Sequence, residues 1–343
     1  MTSDNGRKFD GVATRRWRQR LLSWYDRNRR DLPWRQDRDP YRVWLSEIML
    51  QQTRVSAVLE HYRRFLQRFP TVHKLASARE AAVLAAWSGL GYYRRARMMH
   101  AAAKVIVKRH RGEFPGRIAD LRALPGVGRY TAAAIASIAF NAPAAVVDGN
   151  VERVLGRVFA YVPAGEGLWQ TAEALLSRAR PGDFNQAMME LGATVCLPRQ
   201  PRCSACPVFG LCATRGNLAR PELGRPELGW PEKERPKTLT RQQRRDICYA
   251  LDRRSRSIFL VQRPKHASLM PGMWELPEIP AVSGHYQAGL TLRHSITVTD
   301  YTVHVMLAPA PGQSRGRWVP TTRIPQLPLT GLARKILRQA QVI

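Results

Sequence analysis

Leu121-Arg-Ala-Leu-Pro-Gly-Val-Gly-Arg-Tyr-Thr-Ala-Ala-Ala-Ile-Ala-Ser-Ile-Ala-Phe140 reads as helix, tight glycine-containing turn, helix. Pro125 with Gly126 and Gly128 ends the first helix, and the alanine-rich run from Thr131, an early-turn residue, starts the second. The two glycines let the backbone approach an anion closely. The following helix aims its free amides and the positive end of its dipole at the same place. Such a hairpin would hold a phosphate without reading base sequence, although a glycine-rich turn by itself is equally compatible with being only a turn.

On either side of this hairpin, from about Trp17 to Cys212, the chain reads as helix after helix. Amphipathic or alanine-rich stretches such as Glu80–Trp87, Ala96–Arg109 and Thr131–Phe140 are separated by Gly and Pro. Next comes Arg220-Pro-Glu-Leu-Gly224, repeated at once as Arg225-Pro-Glu-Leu-Gly229, a proline- and charge-rich linker rather than a solenoid repeat. Beyond Thr240 the pattern changes to short strand-like runs, Ile247–Leu251, Ser257–Gln262, Ser295–Thr299 and Thr302–Leu307, and a final amphipathic helix near Leu332–Gln341. The expected organisation is a mainly α region over residues 12–215, a linker over 216–240 and a separate α+β domain over 241–343.

Composition narrows the class of partner. The 343 residues carry 55 Lys and Arg against 26 Asp and Glu, a net charge of +29, with 44% hydrophobic and 24% charged residues. That is globular composition with an excess of positive charge spread along the chain, which points to a polyanion; solubility alone does not require it. No run of 18 apolar residues exists, and Met1–Asp10 has no apolar core for a secretory signal, so a cytoplasmic protein associated with nucleic acid is expected.

Four of the five cysteines fall in Cys196-x6-Cys203-x2-Cys206-x5-Cys212. This clustering argues against a disulfide framework and for metal ligation in a reducing compartment. Zinc sites usually present two tight Cys pairs on separate knuckles, and here there is one, so a single iron–sulfur cluster is the preferred reading over zinc. Arg199 and Arg202 within the loop, and Arg215 after it, would meet phosphates. Cys248, among strand-like residues, reads as a buried spectator.

Two carboxylates stand out. Glu47 lies in a helix whose turns place Val43 and Leu50 on one side of it and Trp44 and Ile48 on the other. Apolar surroundings favour the neutral acid, the form a general acid needs near neutral pH. Asp148 ends the Ala-Ala-Val-Val run just before Gly149. It can cap the helix beginning near Val151, and amides at a helix start favour a charged aspartate there. One protonated and one ionised carboxyl are what cleavage of a glycosidic bond calls for.

In unbroken order, Leu32-Pro-Trp-Arg35, Ser46-Glu-Ile-Met-Leu-Gln-Gln-Thr-Arg-Val55, Gly89-Leu-Gly-Tyr-Tyr93, the hairpin, Val147-Asp-Gly-Asn-Val151 and the four cysteines resemble the adenine DNA glycosylases of the MutY family. The resemblance implies a helix-hairpin-helix glycosylase region with a 4Fe-4S cluster on Cys196, Cys203, Cys206 and Cys212. It also implies a monomer acting on double-stranded DNA that contains adenine opposite 8-oxoguanine or guanine. Glu47 would protonate the adenine, and Asp148 would stabilise the sugar cation, directly or through a transient covalent bond. Tyr130 and Asn150 would orient them, Trp34 and Arg35 would line the base pocket, and Gly126 and Gly128 would meet the backbone. Gln52, Leu90 and Tyr92 would contact the DNA, with Gln52 and Tyr92 at intercalating positions. A glycosylase that also cuts the backbone would need a lysine amine in the hairpin, and position 130 is a tyrosine.

The segment Val261-Gln-Arg-Pro followed by Pro271-Gly-Met-Trp-Glu-Leu-Pro277 resembles the Nudix-like C-terminal domain of the same family, without the glutamate-rich helix of a working hydrolase. The family's Phe-Ser-His triplet, which reads 8-oxoguanine, is replaced by Ile296-Thr297-Val298. Thr297 keeps the central hydroxyl, and a shift in alignment would bring His294 or His304 into play instead. Competing readings are an endonuclease-III-like lyase, a thymine-mismatch glycosylase and a non-catalytic iron–sulfur DNA-binding protein.

Overall fold

The computed structural model describes residues 10–160, 162–217, 243–280, 287–296, 299–312 and 314–343. In chain order the first eleven helices are α1 (Gly11–Asn28), α2 (Pro40–Leu50), α3 (Val55–Arg68), α4 (Val72–Ser77), α5 (Glu80–Trp87), α6 (Tyr93–His110), α7 (Ile118–Arg122), α8 (Arg129–Phe140), α9 (Gly149–Phe159), α10 (Glu166–Leu175) and α11 (Pro181–Thr194). The chain divides into two compact units, one of Met1–Val55 with Val105–Glu234, the other of Ser56–Lys104 with Arg235–Ile343. Helices α3 to α5 and the start of α6 therefore share a unit with the C-terminal strands. The Arg220–Gly229 repeats lie outside the described residues.

In the first unit α11 packs on α1, α8 and α9, and α2 packs on α8. Local signals start these helices where expected. Asp39 caps α2 by accepting from the Arg42 amide at 3.0 Å, with Pro40 in the first turn. Helix α8 is buried from Thr131 through Ile138, and its small residues let neighbouring backbones come close. A Cβ at Gly182 of α11 would stand 2.6 Å from the Ser137 carbonyl oxygen, and one at Gly192 would stand 2.6 Å from Asn150 Cβ. The first contact sets α11 against α8, and the second sets it against the segment that carries Asp148. Thr131 is a buried residue in the first turn of α8, and its hydroxyl oxygen accepts from Nε2 of Gln51, the C-cap of α2, at 3.4 Å.

The second unit contains two four-stranded sheets. One has the order β5-β1-β7-β6, built from β1 (Gln243–Ala250), β5 (Glu278–Ile279), β6 (Gln287–Ile296) and β7 (Thr299–Leu307). Strand β1 runs parallel to β7 with Ile247 opposite Val303, and β6 is antiparallel to β7. The other joins β2 (Arg253–Arg254), β3 (Ser257–Gln262), β4 (Trp274–Glu275) and β8 (Gly316–Pro320). Helix α12 (Gly331–Gln339), capped by Thr330, buries Leu332, Ala333, Ile336 and Leu337 in a core shared with Ile258, Leu260, Val303 and Val305. Ser257–Gln262 and the last helix fall close to their sequence-based bounds. The run Ser295–Thr299 does not form one strand: Ile296 ends β6 and Thr299 begins β7. A register shift between Ala288 and Leu290 breaks the strict alternation of β6 and hides its true start from a reading of periodicity.

Candidate active site

A cleft of about 540 Å³ in the first unit is lined by Trp34, Arg35, Glu47, Gln52, Tyr130, Asp148 and Asn150, together with Arg30, Gln51, Met189 and Glu190. The catalytic residues expected from sequence therefore meet in one place, with the expected base-pocket residues beside them.

Glu47 is 7% exposed on α2. Burial pushes its carboxyl up to about 7; the Tyr130 hydroxyl opposes that rise, the charge of Asp148 adds to it and Arg35 offsets part of it. A carboxyl poised there can hold a proton at neutral pH and give it up to a base of similar strength. Tyr130 sits in the first turn of α8 with its hydroxyl 3.2 Å from Met189 Sδ and facing Glu47. Burial, then the nearby carboxylates, raise its pKa well above the usual value, so it remains a neutral phenol.

Asp148 is the N-cap of α9, which begins at Gly149, two residues earlier than expected. Its Oδ1 accepts from the amides of Asn150 at 2.9 Å and Val151 at 2.8 Å, while Oδ2 accepts from Asn150 Nδ2 at 2.9 Å. The cap and the cleft-facing carboxylate are thus one residue in both roles. Asn150 Oδ1 in turn accepts from Arg153 Nη2 at 2.8 Å, so Asn150 is held between Asp148 and Arg153. Arg153 also donates to the carbonyls of Gly192 at 2.6 Å and Cys196 at 2.8 Å, which ties this corner to the start of the cysteine loop.

Glu190, Arg30, Met189 and Gln51 escaped the sequence reading. Glu190 on α11 has a fully buried side chain and receives Arg30 Nε at 2.7 Å, Arg30 Nη2 at 2.8 Å and Arg35 Nη2 at 2.8 Å. Burial alone would raise its pKa, but the bonds from Arg30 and Arg35 outweigh that and hold it at about 2. A permanently charged carboxylate therefore fixes Arg35 against the cleft, with the Arg35 guanidinium also 5.6 Å from the centre of the Tyr25 ring. The signal was present: Glu190 stands among Ala187, Met188 and Leu191 of α11, as Glu47 stands among the apolar residues of α2.

The remaining expected contacts are spread over other surfaces. Gln52 is exposed at φ 55°, and Tyr92 is 61% exposed at φ 47°. Both backbones are left-handed without being glycine, a conformation that costs about 1–3 kcal/mol and gathers at functional positions. Leu90 is buried, 6% exposed. In the hairpin Gly126 has φ 76°, which requires glycine. At Gly128, the N-cap of α8, an added Cβ would meet nothing within 4 Å, so packing does not demand glycine there. Arg129 is engaged by Glu166 at 2.6 Å and lies 4.0 Å over the Trp169 ring, and within the turn the Val127 amide donates to the Leu124 carbonyl at 3.1 Å. Thr297 lies outside the described residues.

Cys196, Cys203, Cys206 and Cys212 all border one apolar cavity with Val154, Val158, Leu191, Val195 and Val208. Arg157 Nη1 is 3.4 Å from Cys196 Sγ and donates to the Leu197 carbonyl, while its Nη2 donates to the Pro198 carbonyl. Gly216 passes so near Cys203 that a Cβ there would stand 2.9 Å from its sulfur. Burial, then the neighbouring thiols, raise the Cys203 thiol; burial pushes Cys206 up to about 11. Among the described residues no three His, Cys, Asp or Glu side chains converge as they would on a single metal ion. Four thiols lining one cavity are a donor set that a thiolate-ligated metal group could use, and a cationic metal would remove the cost of gathering thiolates there. Arg199, Arg202 and Arg215 are exposed.

Residues 45–178 match the model of the HhH-GPD superfamily of base excision DNA repair proteins. The chain is 51% identical over 211 residues to an adenine DNA glycosylase of Rattus norvegicus, covering 57% of this chain and 41% of that protein. It is 39% identical over 312 residues to an adenine DNA glycosylase of Arabidopsis thaliana, covering 79% and 48%. The chain thus spans less than half the length of either. Among solved structures, a thermostable thymine-DNA glycosylase matches with a TM-score of 0.56 and 29% identity, over 60% of this chain and 98% of that one.

Proposed function

We propose, for a chain that is a member of the HhH-GPD superfamily and a relative of the adenine DNA glycosylases of the MutY family, that it excises adenine mispaired with 8-oxoguanine or guanine in duplex DNA. The observation that carries this reading is Glu47, buried and poised near neutral pH in the same cleft as Asp148. Departure of adenine breaks the bond between the sugar's anomeric carbon and the base nitrogen, and the bonding pair leaves with the base. Glu47 supplies a proton to the adenine ring, so the base leaves neutral. Asp148 faces the sugar cation, and water then adds to the anomeric carbon, its proton passing to the Glu47 carboxylate, to give an abasic site. Tyr130 holds the Glu47 carboxyl, and Asn150 holds Asp148. No lysine lines the cleft among the described residues, which favours hydrolysis over a Schiff-base lyase.

The test is single-turnover adenine release from two matched duplexes, with adenine opposite 8-oxoguanine or opposite guanine. Release from the first or from both supports the assignment, and the ratio reads how far the Ile296-Thr297-Val298 segment discriminates the lesion. Thymine release from a G:T duplex with no adenine release would move the chain to the thymine-mismatch class.

The cysteine loop is assigned one 4Fe-4S cluster on Cys196, Cys203, Cys206 and Cys212. When bound, the cluster cross-links the four thiolates and shapes the loop that presents Arg199, Arg202 and Arg215 to phosphates. Chain purified without oxygen is expected to carry about four irons with broad visible absorbance; one zinc and no iron would overturn the assignment. The C-terminal sheets are assigned the Nudix-like role of inspecting the base opposite adenine. Tyr92 is assigned the part of a wedge that fills the duplex when the base is flipped.

A further inference from the structure

We propose that the segment Leu329–Arg334 and the turn Pro271–Trp274 form a positioning device for Tyr92, holding its loop so that the exposed ring is presented ready to enter a duplex. The inference rests on the wedge role given to Tyr92 above.

The loop is unusual in its backbone. Gly89, Gly91 and Tyr92 have φ of 112°, 69° and 47°, three left-handed residues within four. Gly89 is also hemmed in: a Cβ there would lie 2.9 Å from His61 Nε2. The glycines adopt this region freely, so the backbone strain falls on Tyr92, and such strain persists where the surrounding structure holds it.

Both ends are held by one carbonyl. The Ser88 hydroxyl donates to the Leu329 carbonyl oxygen at 3.0 Å, and the Tyr93 hydroxyl donates to the same oxygen at 3.1 Å. Ser88 Oγ in turn accepts from Arg334 Nε at 2.9 Å, so its single proton and a lone pair are both committed. Ser88, Tyr93 and Leu329 are buried, and parting them would take from both hydroxyls the carbonyl that accepts their protons. Leu329 is itself fixed by Trp274, whose amide donates to the Pro328 carbonyl at 2.8 Å and whose carbonyl accepts from the Thr330 amide at 2.9 Å. Arg97 of α6 adds a bond to the Pro271 carbonyl at 2.6 Å. The Pro271-Gly-Met-Trp motif is thereby used to brace the helices that flank Tyr92. Within the loop, Trp87 Nε1 donates to the Gly91 carbonyl at 3.0 Å, and the Arg95 guanidinium lies 5.2 Å from the centre of the Tyr92 ring.

The test is a double-mutant cycle on the full chain, with Ser88→Ala plus Tyr93→Phe as the pin variant and Tyr92→Ala as the ring variant. Single-turnover release is read on adenine paired with 8-oxoguanine and on adenine opposite an abasic site, where the base is already unpaired. The pin variant is expected to lose about tenfold on the paired duplex, since two hydrogen bonds are removed. It is expected to lose nothing on the unpaired one, and when combined with Tyr92→Ala to be no slower than Tyr92→Ala alone. Losses that multiply, or equal losses on both duplexes, overturn the positioning role and leave the wedge standing. A Tyr92→Ala protein that works at the parent rate removes the wedge reading and this inference with it. Tyr93→Phe alone, which keeps the ring, serves the same cycle if the pin variant does not fold.

Discussion

Replacing Glu47 by Gln is expected to slow adenine release by about 10²–10⁴-fold, the usual worth of a positioned general acid, while making the protein more stable above neutral pH. The two effects have one cause. Burial raises the Glu47 carboxyl to about 7, so the folded protein holds a proton that the unfolded chain gives up at about 4.5. Because the native state binds the extra proton, stability falls as pH climbs from the lower value to the higher. Above about 7 the buried charge is fully formed, at a cost of roughly 3 kcal/mol. Glutamine keeps the shape without that charge, so its advantage should be absent below pH 4 and complete above pH 8. In the parent protein kcat/KM should fall as pH rises through about 7, where the acid form is lost. Denaturant titrations of both proteins at pH 5 and pH 8, beside single-turnover rates, read all three. Parent-rate release by Glu47→Gln would end the assignment of Glu47 as the acid.

Affinity for duplex DNA is expected to fall by about 10³–10⁵ between 50 and 200 mM salt, the loss for a protein that neutralises roughly 6–10 phosphates. The net charge of +29 makes this plausible but does not locate the contacts. Several arginines already have partners within the protein: Arg30 and Arg35 pair with Glu190, Arg153 and Arg157 bond the cysteine loop, Arg129 pairs with Glu166 and stacks on Trp169, and Arg180 pairs with Asp26 and Asp183. Arg199, Arg202 and Arg215 are exposed beside that loop. Replacing these three by Gln should flatten the salt slope by close to three ions, whereas a change in the hairpin, which offers neutral amides, should weaken binding with little change in slope. Fluorescence anisotropy of a labelled duplex across a salt series measures both. Binding indifferent to salt would refute the phosphate clamp.

Local chemistry is where the sequence was most informative. Pro125 and Gly126 mark the hairpin because a fixed φ and a left-handed turn leave few alternatives, and Asp148 announces a cap because its carboxylate reaches amides two and three residues on. The cysteine spacing announces a shared site because four thiols in seventeen positions are forced together. The environment of Glu47 was also readable, since α2 carries its apolar neighbours within one turn on either side. Intrinsic signals failed where alternation was interrupted, as at the register shift in β6.

What only the tertiary structure decided are the partnerships between distant residues. Nothing near Arg30 or Arg35 in the chain indicates Glu190, which lies 160 and 155 positions away. They meet because α11 packs across α1 and α8, at a distance that Gly182 and Gly192 permit. The same holds for Ser88 and Tyr93 with Leu329, more than two hundred positions apart, and so for the sharing of one compact unit by Ser56–Lys104 and the C-terminal strands. Capping, turns and ligand spacing are set by bonds within a few residues, so they can be read along the chain. The ion pairs and hydroxyl pins that orient the cleft and the Tyr92 loop depend on which buried surfaces find each other, and that is settled only when the whole core packs.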